Sequence, residues 1–417
     1  MLMKKLTVAA AALAVSASAF ADHYAPHYVV RPAYRHYYYQ PYYYRPAPRM
    51  VVVQRPVPVY PAYPAYHASV DVNTGLAIVA GALIGGVIVA LPALAAAADG
   101  QGPTPSIFAP VSTPAFAIRE IAFFVLGITG AIFVVVAALT LYTIVRYRRR
   151  PGDSASEPPQ VYGSLQIELA WTVVPFLIVI VLFLVTARYI WGIERHPQPP
   201  GAMEVTIVGN QWWWEIRYPK LGVVTANELH IPVSDPARPT PTFITLESAD
   251  VIHSFWVPQL AGKMDVIPNK TNRVWVEPTK PGTYVGQCAE YCGLQHALML
   301  LIVVVHPREE FDRWVAAQQA VASDDAAASR GRELFASLAC ISCHTVRGTP
   351  ANGVFGPDLT HLMSRWTIGA GAARNTPENL RAWVDDPSTL KRGALMPAMK
   401  LSRPDLDSVT AYLASLR

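Results

Sequence analysis

Gly286-Gln287-Cys288-Ala289-Glu290-Tyr291-Cys292-Gly293-Leu294-Gln295-His296-Ala297-Leu298-Met299 is the most informative stretch of the chain. It reads C-x3-C-x3-H-x2-M, and a lone His253 lies 35 residues before Cys288. Thiolates, imidazoles and a thioether together make a soft donor set that suits copper. One blue-copper ion needs a single cysteine, whereas a second thiolate four residues on lets two sulfurs bridge two coppers. A bridged pair shares one electron, so little geometry changes on reduction. A structural zinc site of two Cys and two His is the alternative, because zinc sites also space their cysteines by two to four residues. The trailing methionine and the β-type surroundings weigh against zinc.

Those surroundings run from Met203 to Val305 as short runs: MEVTIV, WWWEI, TFITL, NRVWVE, GTYVGQ and LMLLIVVV. Pro, Gly and Asn punctuate them, and strands at this spacing predict a small sandwich over 200–307. Upstream, Ile121–Val145 is uncharged, as is Leu169–Ala187 between Glu168 and Arg188. Each is long enough to cross a bilayer, so 115–192 reads as a transmembrane hairpin. Arg146, Arg148, Arg149 and Arg150 place its connecting loop in the cytoplasm and everything after Arg188 outside. Composition agrees: 52% hydrophobic against 15% charged residues is apolar for a soluble protein. The net charge of +5 is too small and dispersed to argue for nucleic acid.

The N-terminal quarter has a different character. Residues 1–21 have the basic start, apolar middle and small-residue end of a secretory signal cleaved near Ala21. Residues 22–74 hold twelve of the twenty tyrosines with many Pro, His and Arg, and read as a disordered or polyproline-like arm. Residues 75–98 are uncharged and end ALAAAADG, which fits either a spanning helix or a second signal cleaved before Asp99.

At the other end, Cys340-Ile341-Ser342-Cys343-His344 is the C-x-x-C-H of covalent heme c attachment. Two thiols form thioethers with the heme vinyls, and the adjacent histidine lies under the iron. With the first motif this uses all four cysteines, leaving none for a structural disulfide. A helix at Glu309–Gln319 and an Ala/Ser/Asp linker fill 308–328. From Ser329 the pattern is helical (GRELFASLAC, ENLRAWVDD, LDSVTAYLASLR), and 329–417 resembles a small all-α class I cytochrome c. A methionine as sixth ligand raises the potential of such a heme. Met396, followed by Pro397 and lying before the last helix, is the expected ligand, with Met399 as the alternative. Met363 reads as core, and the methionine loop argues against bis-histidine ligation through His361.

Two longer stretches carry a family resemblance. SADVIHSFWVPQLAGKMDVIPN (248–269) and GQCAEYCGLQHALM (286–299) closely resemble cytochrome c oxidase subunit II, a likeness extending over 115–305. It implies a cupredoxin-like β-sandwich holding a dinuclear copper A centre. By that likeness His253, Cys288, Cys292, His296 and Met299 are side-chain ligands, and Glu290 lends its backbone carbonyl. The likeness also turns the Glu290 carboxylate toward a magnesium ion at the boundary with subunit I. Trp212, directly after Gln211, becomes the ring that receives electrons. On residue grounds alone a tryptophan run in a strand is core on one face. The family more often has Tyr where this chain has Trp213. Glu168, which simply complements the helix dipole on residue grounds, becomes the mouth of a proton-uptake path.

The whole reads as a multi-domain membrane protein: transmembrane hairpin, copper sandwich and cytochrome domain. It would relay electrons from cytochrome c or a similar donor through heme c and copper A to subunit I, for proton-coupled reduction of oxygen to water. The partners implied are subunits I and III and membrane lipid, at a bacterial plasma (inner) membrane with the copper and heme domains on the periplasmic face. The chain lacks the histidine set of an oxygen-reducing site. The electron-accepting subunit of a nitric oxide reductase is the nearest alternative; Glu168 and the DVIHSFW/CAEYC pair favour the oxygen reductase. Nitrous oxide reductase calls for a large soluble catalytic domain. A membrane-tethered copper carrier has no need of heme, and quinol oxidase subunits lack the copper ligands present here.

Overall fold

The computed structural model describes residues 105–152, 163–322 and 325–417; the signal, the Tyr/Pro-rich arm and the apolar segment 75–98 lie outside the described residues. Helices α1 (Thr113–Arg146) and α2 (Leu165–Glu194) have a mean hydropathy of 2.7 in their most apolar stretches, none of it buried within the chain. At 34 and 30 residues they outrun the ~20 that cross a bilayer, so their ends project beyond the hydrocarbon. They contain the two uncharged segments and extend past them, because the helix ladder continues through Arg119, Glu120 and Arg188. Pro114, in the first turn of α1, sits where its missing N–H costs nothing. The Tyr189 hydroxyl donates to Glu120 Oε2 at 3.1 Å and joins the two helices.

Ten strands form the sandwich. β1 (Met203–Asn210), β2 (Trp213–Tyr218), β3 (Val223–Ala226), β5 (Thr242–Ser248) and β8 (Asn272–Val276) make one sheet in the order β3-β2-β1-β5-β8. β4 (Glu228–Pro232), β6 (His253–Trp256), β7 (Met264–Val266), β9 (Gly282–Cys288) and β10 (Leu300–His306) make the other, ordered β4-β10-β9-β6-β7. Pairs β1/β5 and β4/β10 are parallel, which gives the cupredoxin-like crossover. Ile207, Trp214, Ile216, Ile244 and Leu246 face Leu229, Ile231, Phe255, Leu301 and Val303 across the core. Each such side chain contributes about 1.5–3 kcal/mol by leaving water.

The sandwich is seated on the helix ends: the Trp275 indole donates to the Ile193 carbonyl at 2.7 Å, and His196 stacks on the same ring at 3.9 Å. On the far side α3 (Arg308–Gln319) follows β10 after one residue, Pro307. It buries Phe311, Val315 and Gln318 and lays Trp314 on His230, ring centres 4.3 Å apart.

The C-terminal domain consists of α4 (Ser329–Ser337), α5 (Cys340–Cys343), α6 (Pro377–Asp385) and α7 (Arg403–Ser415). A two-stranded ribbon, β11 (Thr367–Ile368) with β12 (Ala373–Arg374), adds to the expected helices. Thr376 and Ser402 cap α6 and α7 by accepting from Asn379 N and Asp405 N. Phe335, Val346, Leu380, Leu406, Val409 and Leu413 form its core.

Candidate metal centre and heme pocket

β9 delivers Cys288 to one end of the sandwich, and β6, its neighbour, delivers His253 alongside, with Phe255 opposite Cys288 in register. The 289–299 loop then turns back and supplies Cys292, His296 and Met299 before β10 begins. Cys288 Sγ and Cys292 Sγ are 3.8 Å apart, too far for a disulfide and a gap that metal–sulfur bonds of ~2.3 Å can span. His253 Nδ1 lies 4.0 Å from Cys288 Sγ, and His296 Nδ1 lies 3.7 Å from Cys292 Sγ. Met299 Sδ is 3.9 Å from Cys292 Sγ, and the Glu290 carbonyl is 3.2 Å from Cys288 Sγ. All six donors named from the sequence therefore converge. His253, Cys288 and Cys292 alone form a buried metal-competent group.

The thiols are chemically unequal. Burial opposes ionisation of both, but at Cys288 the hydrogen bonds with His253, with the Glu290 and Ser254 backbone and with His296 together outweigh it and hold that thiol down to about 6. Cys292 is pushed up to about 12 by burial and by the neighbouring Cys288 charge. Two adjacent buried thiolates need cations between them, and that is what the donor set offers.

Asp250, Gln211 and Gly293 support the site and had no role in the sequence reading. Asp250 Oδ1 accepts from His253 Nε2 at 2.8 Å, which fixes the tautomer and leaves Nδ1 for the sulfur side. The signal was an acid three residues before a ligand histidine. Gln211 Nε2 and Trp212 Nε1 both donate to the Cys292 carbonyl, at 2.7 and 3.0 Å. Gly293 lets them approach: at φ +116° it has no Cβ, and one would sit 3.1 Å from Gln211 Nε2 and 3.2 Å from the Trp212 ring. Within β2, Trp213 is partly exposed and Trp214 is fully buried beside His253, as strand alternation requires, while Trp212 precedes the strand and is half-buried.

The heme motif lines a cavity of about 450 Å³, a size typical of cofactor sites. Cys340, Cys343, His344, Met396 and Met399 all face it. His344 Nδ1 donates to the Pro357 carbonyl at 2.8 Å, which leaves Nε2 for iron. Gly356 packs so close that a Cβ there would come within 2.5 Å of the imidazole. The residues present fit a covalent heme. Met363 does not line the cavity and packs with the domain core, while both ring nitrogens of His361 face backbone carbonyls, of Arg417 and Ala320.

The cavity wall is completed by the other domain: Gln211, Trp212, Trp213 and Asn227 line it too. The two domains are joined there by buried polar groups. Glu228, fully buried on β4, accepts from Trp366 N at 2.7 Å and Thr367 N at 3.1 Å, while its Oε2 has no hydrogen-bond partner. Burial drives its carboxyl up to about 7, against the pull of those N–H groups and of Arg365. Arg365 donates to Thr225 Oγ1 and to the Asp358 carbonyl, and burial lowers its pKa. Lys391 crosses the same interface, with burial lowering its pKa to about 8.

Glu290 and Glu168 both present exposed carboxylates, the first on the copper loop and the second in the first turn of α2.

The protein-family model described as cytochrome C oxidase subunit II, periplasmic domain, matches residues 203–306. The corresponding transmembrane-domain model matches 105–187, and a cytochrome c model matches 328–417. Cytochrome c oxidase subunit 2 of Alkalihalophilus pseudofirmus is 36% identical over 298 residues, covering 70% of this chain and 84% of the relative. The same subunit of a Bacillus species is 32% identical over 291 residues, with 65% and 80% covered. Among solved structures, the periplasmic domain of subunit II of cytochrome oxidase of Bradyrhizobium japonicum matches at 29% identity and a TM-score of 0.27. It covers 30% of this chain and 97% of that one.

Proposed function

Because the chain belongs to the cytochrome c oxidase subunit II family, we propose that it carries electrons from cytochrome c or a similar donor, by way of heme c and a dinuclear copper A centre, to subunit I. When bound, both groups supply one-electron chemistry with little structural change. His253, Cys288, Cys292, His296, Met299 and the Glu290 carbonyl would hold the copper pair; Cys340 and Cys343 would bind the heme covalently, and His344 and Met396 would hold its iron. The single observation carrying this reading is the shared wall: Trp212 lines the cavity of the C-x-x-C-H motif and also donates to the carbonyl of Cys292. An external donor meets the cytochrome domain where Trp212 would otherwise face solvent.

The exposed Glu290 carboxylate is available to a magnesium ion at the subunit I boundary. Glu168, at the arginine-flanked end of the hairpin, marks the mouth of proton uptake from the cytoplasm. The assembly sits in a bacterial plasma membrane with subunit III as a further partner and both redox domains on the periplasmic face. The test is the purified complex supplied with reduced cytochrome c. Oxygen uptake with cyanide-sensitive oxidation of the donor is the expected result. Nitric oxide consumption without oxygen uptake would overturn it in favour of the reductase.

A further inference from the structure

Lys391 lies in the heme-domain segment between α6 and α7, five residues before Met396, and its side chain leaves its own domain. The residue is 3% exposed. Its Nζ donates to the Trp212 carbonyl at 2.9 Å, the Leu298 carbonyl at 2.8 Å and the Gly369 carbonyl at 2.8 Å. An ammonium has three donors, so each is used. Two of the three acceptors belong to the copper domain, and each adjoins its metal cluster. Trp212 donates through its ring to Cys292, and Leu298 immediately precedes Met299. Lys391 also lines the heme cavity beside Met396. A buried cation costs stability unless fully hydrogen-bonded, and a neutral side chain could fill the same space without that cost. What only a three-donor cation does here is tie the heme-ligand segment, the Trp212 backbone and the copper-ligand loop to one point.

We infer that Lys391 is the positioning residue of the heme-to-copper step, fixing the separation between the two centres by joining the loops that carry their ligands. The inference deepens the relay proposed above and rests on it. In the step, one electron leaves ferrous heme iron, which becomes ferric, and the oxidised copper pair gains it; no bond or proton moves within this chain.

The test uses the assembled oxidase. One electron is injected into heme c, and its reoxidation is followed together with reduction of the near-infrared copper band. In the unaltered protein the transfer is first-order and independent of donor concentration. If it is absent there, the relay reading itself falls. In Lys391→Met, transfer slows by about ten-fold or more, as expected of a misplaced redox pair, while heme and copper bands keep full intensity. Heme c then stands more reduced during steady turnover. Lys391→Arg, which keeps charge and donors, recovers part of the rate. A Lys391→Met enzyme that transfers at the original rate overturns the inference while leaving the relay intact. Loss of either band in both variants also overturns it, making Lys391 a folding element.

Discussion

The copper pocket takes His253 from β6, Cys288 from the end of β9 and its other donors from the loop between β9 and β10, so its geometry belongs to a hydrogen-bonded sheet. The heme pocket keeps Cys340, Cys343 and His344 on a single short helix and its boundary, yet part of its wall comes from another domain. The first site is distant in sequence and self-contained in space. The second is local in sequence and incomplete without its neighbour. The contrast teaches that compact motifs attach cofactors, whereas tertiary packing decides what those cofactors can exchange electrons with.

The largest effect that could break this contrast is all-or-none. Cys292→Ser should abolish the mixed-valence copper signal while heme c remains covalently attached, as judged by spin resonance and heme staining. Loss of heme in that variant would mean the copper site is no more self-contained than its neighbour. Next, Met396→Ala should remove the methionine–iron signature and lower the heme potential by tenths of a volt, within the ~0.8 V that axial ligands span. Met399→Ala should leave both unchanged; the reverse outcome assigns the ligand to Met399.

A graded test probes the sheet. Phe255 is 1% exposed and registers opposite Cys288, so Phe255→Ala should cost about 3–5 kcal/mol. Thermal loss of the copper band should then precede loss of the heme band. The smallest effect sharpens the borrowed wall. Glu228 is raised to about 7, so its neutral form is favoured in the folded protein. The stability it lends is full below about 4.5 and lost as pH rises through 7, where ionisation costs about 3 kcal/mol at most. Glu228→Gln should therefore raise the melting temperature of the outer domains at pH 8 and not at pH 4.5. The net gain is on the order of 1 kcal/mol, because one amide N–H is left without a partner. An equal shift at both pH values would show that ionisation of Glu228 is not the source.

Much of this was legible in the sequence because the chemistry is written in short spacings. The C-x3-C-x3-H-x2-M and C-x-x-C-H runs named most of the side chains that converge, and uncharged length named both membrane helices. Four strands of the sandwich escaped notice, and β4 shows why. Its sequence, ELHIP, carries Glu228 and His230, yet all five positions are buried. The sandwich covers one face, while α3 and the heme domain cover the rest, so the alternation that marks a half-exposed strand never develops. Lys391 was hidden for a related reason. Beside Arg392 it reads as a solvated basic pair, and only the docking of one domain on another turns it inward.

The connection between the domains has a mechanical consequence. Because α3 follows β10 after a single residue and holds Trp314 against His230, the cytochrome is joined to the sandwich by a splint rather than a string. Gln319, at the far end of that helix, is itself anchored to the Leu221 carbonyl at 2.8 Å. Swinging the cytochrome away would mean breaking the bonds it makes to the end of that helix, from Gln318 to Ser364 and from Arg347 to the Gln318 carbonyl. The length of chain beyond it therefore does little to set how often the two redox partners meet.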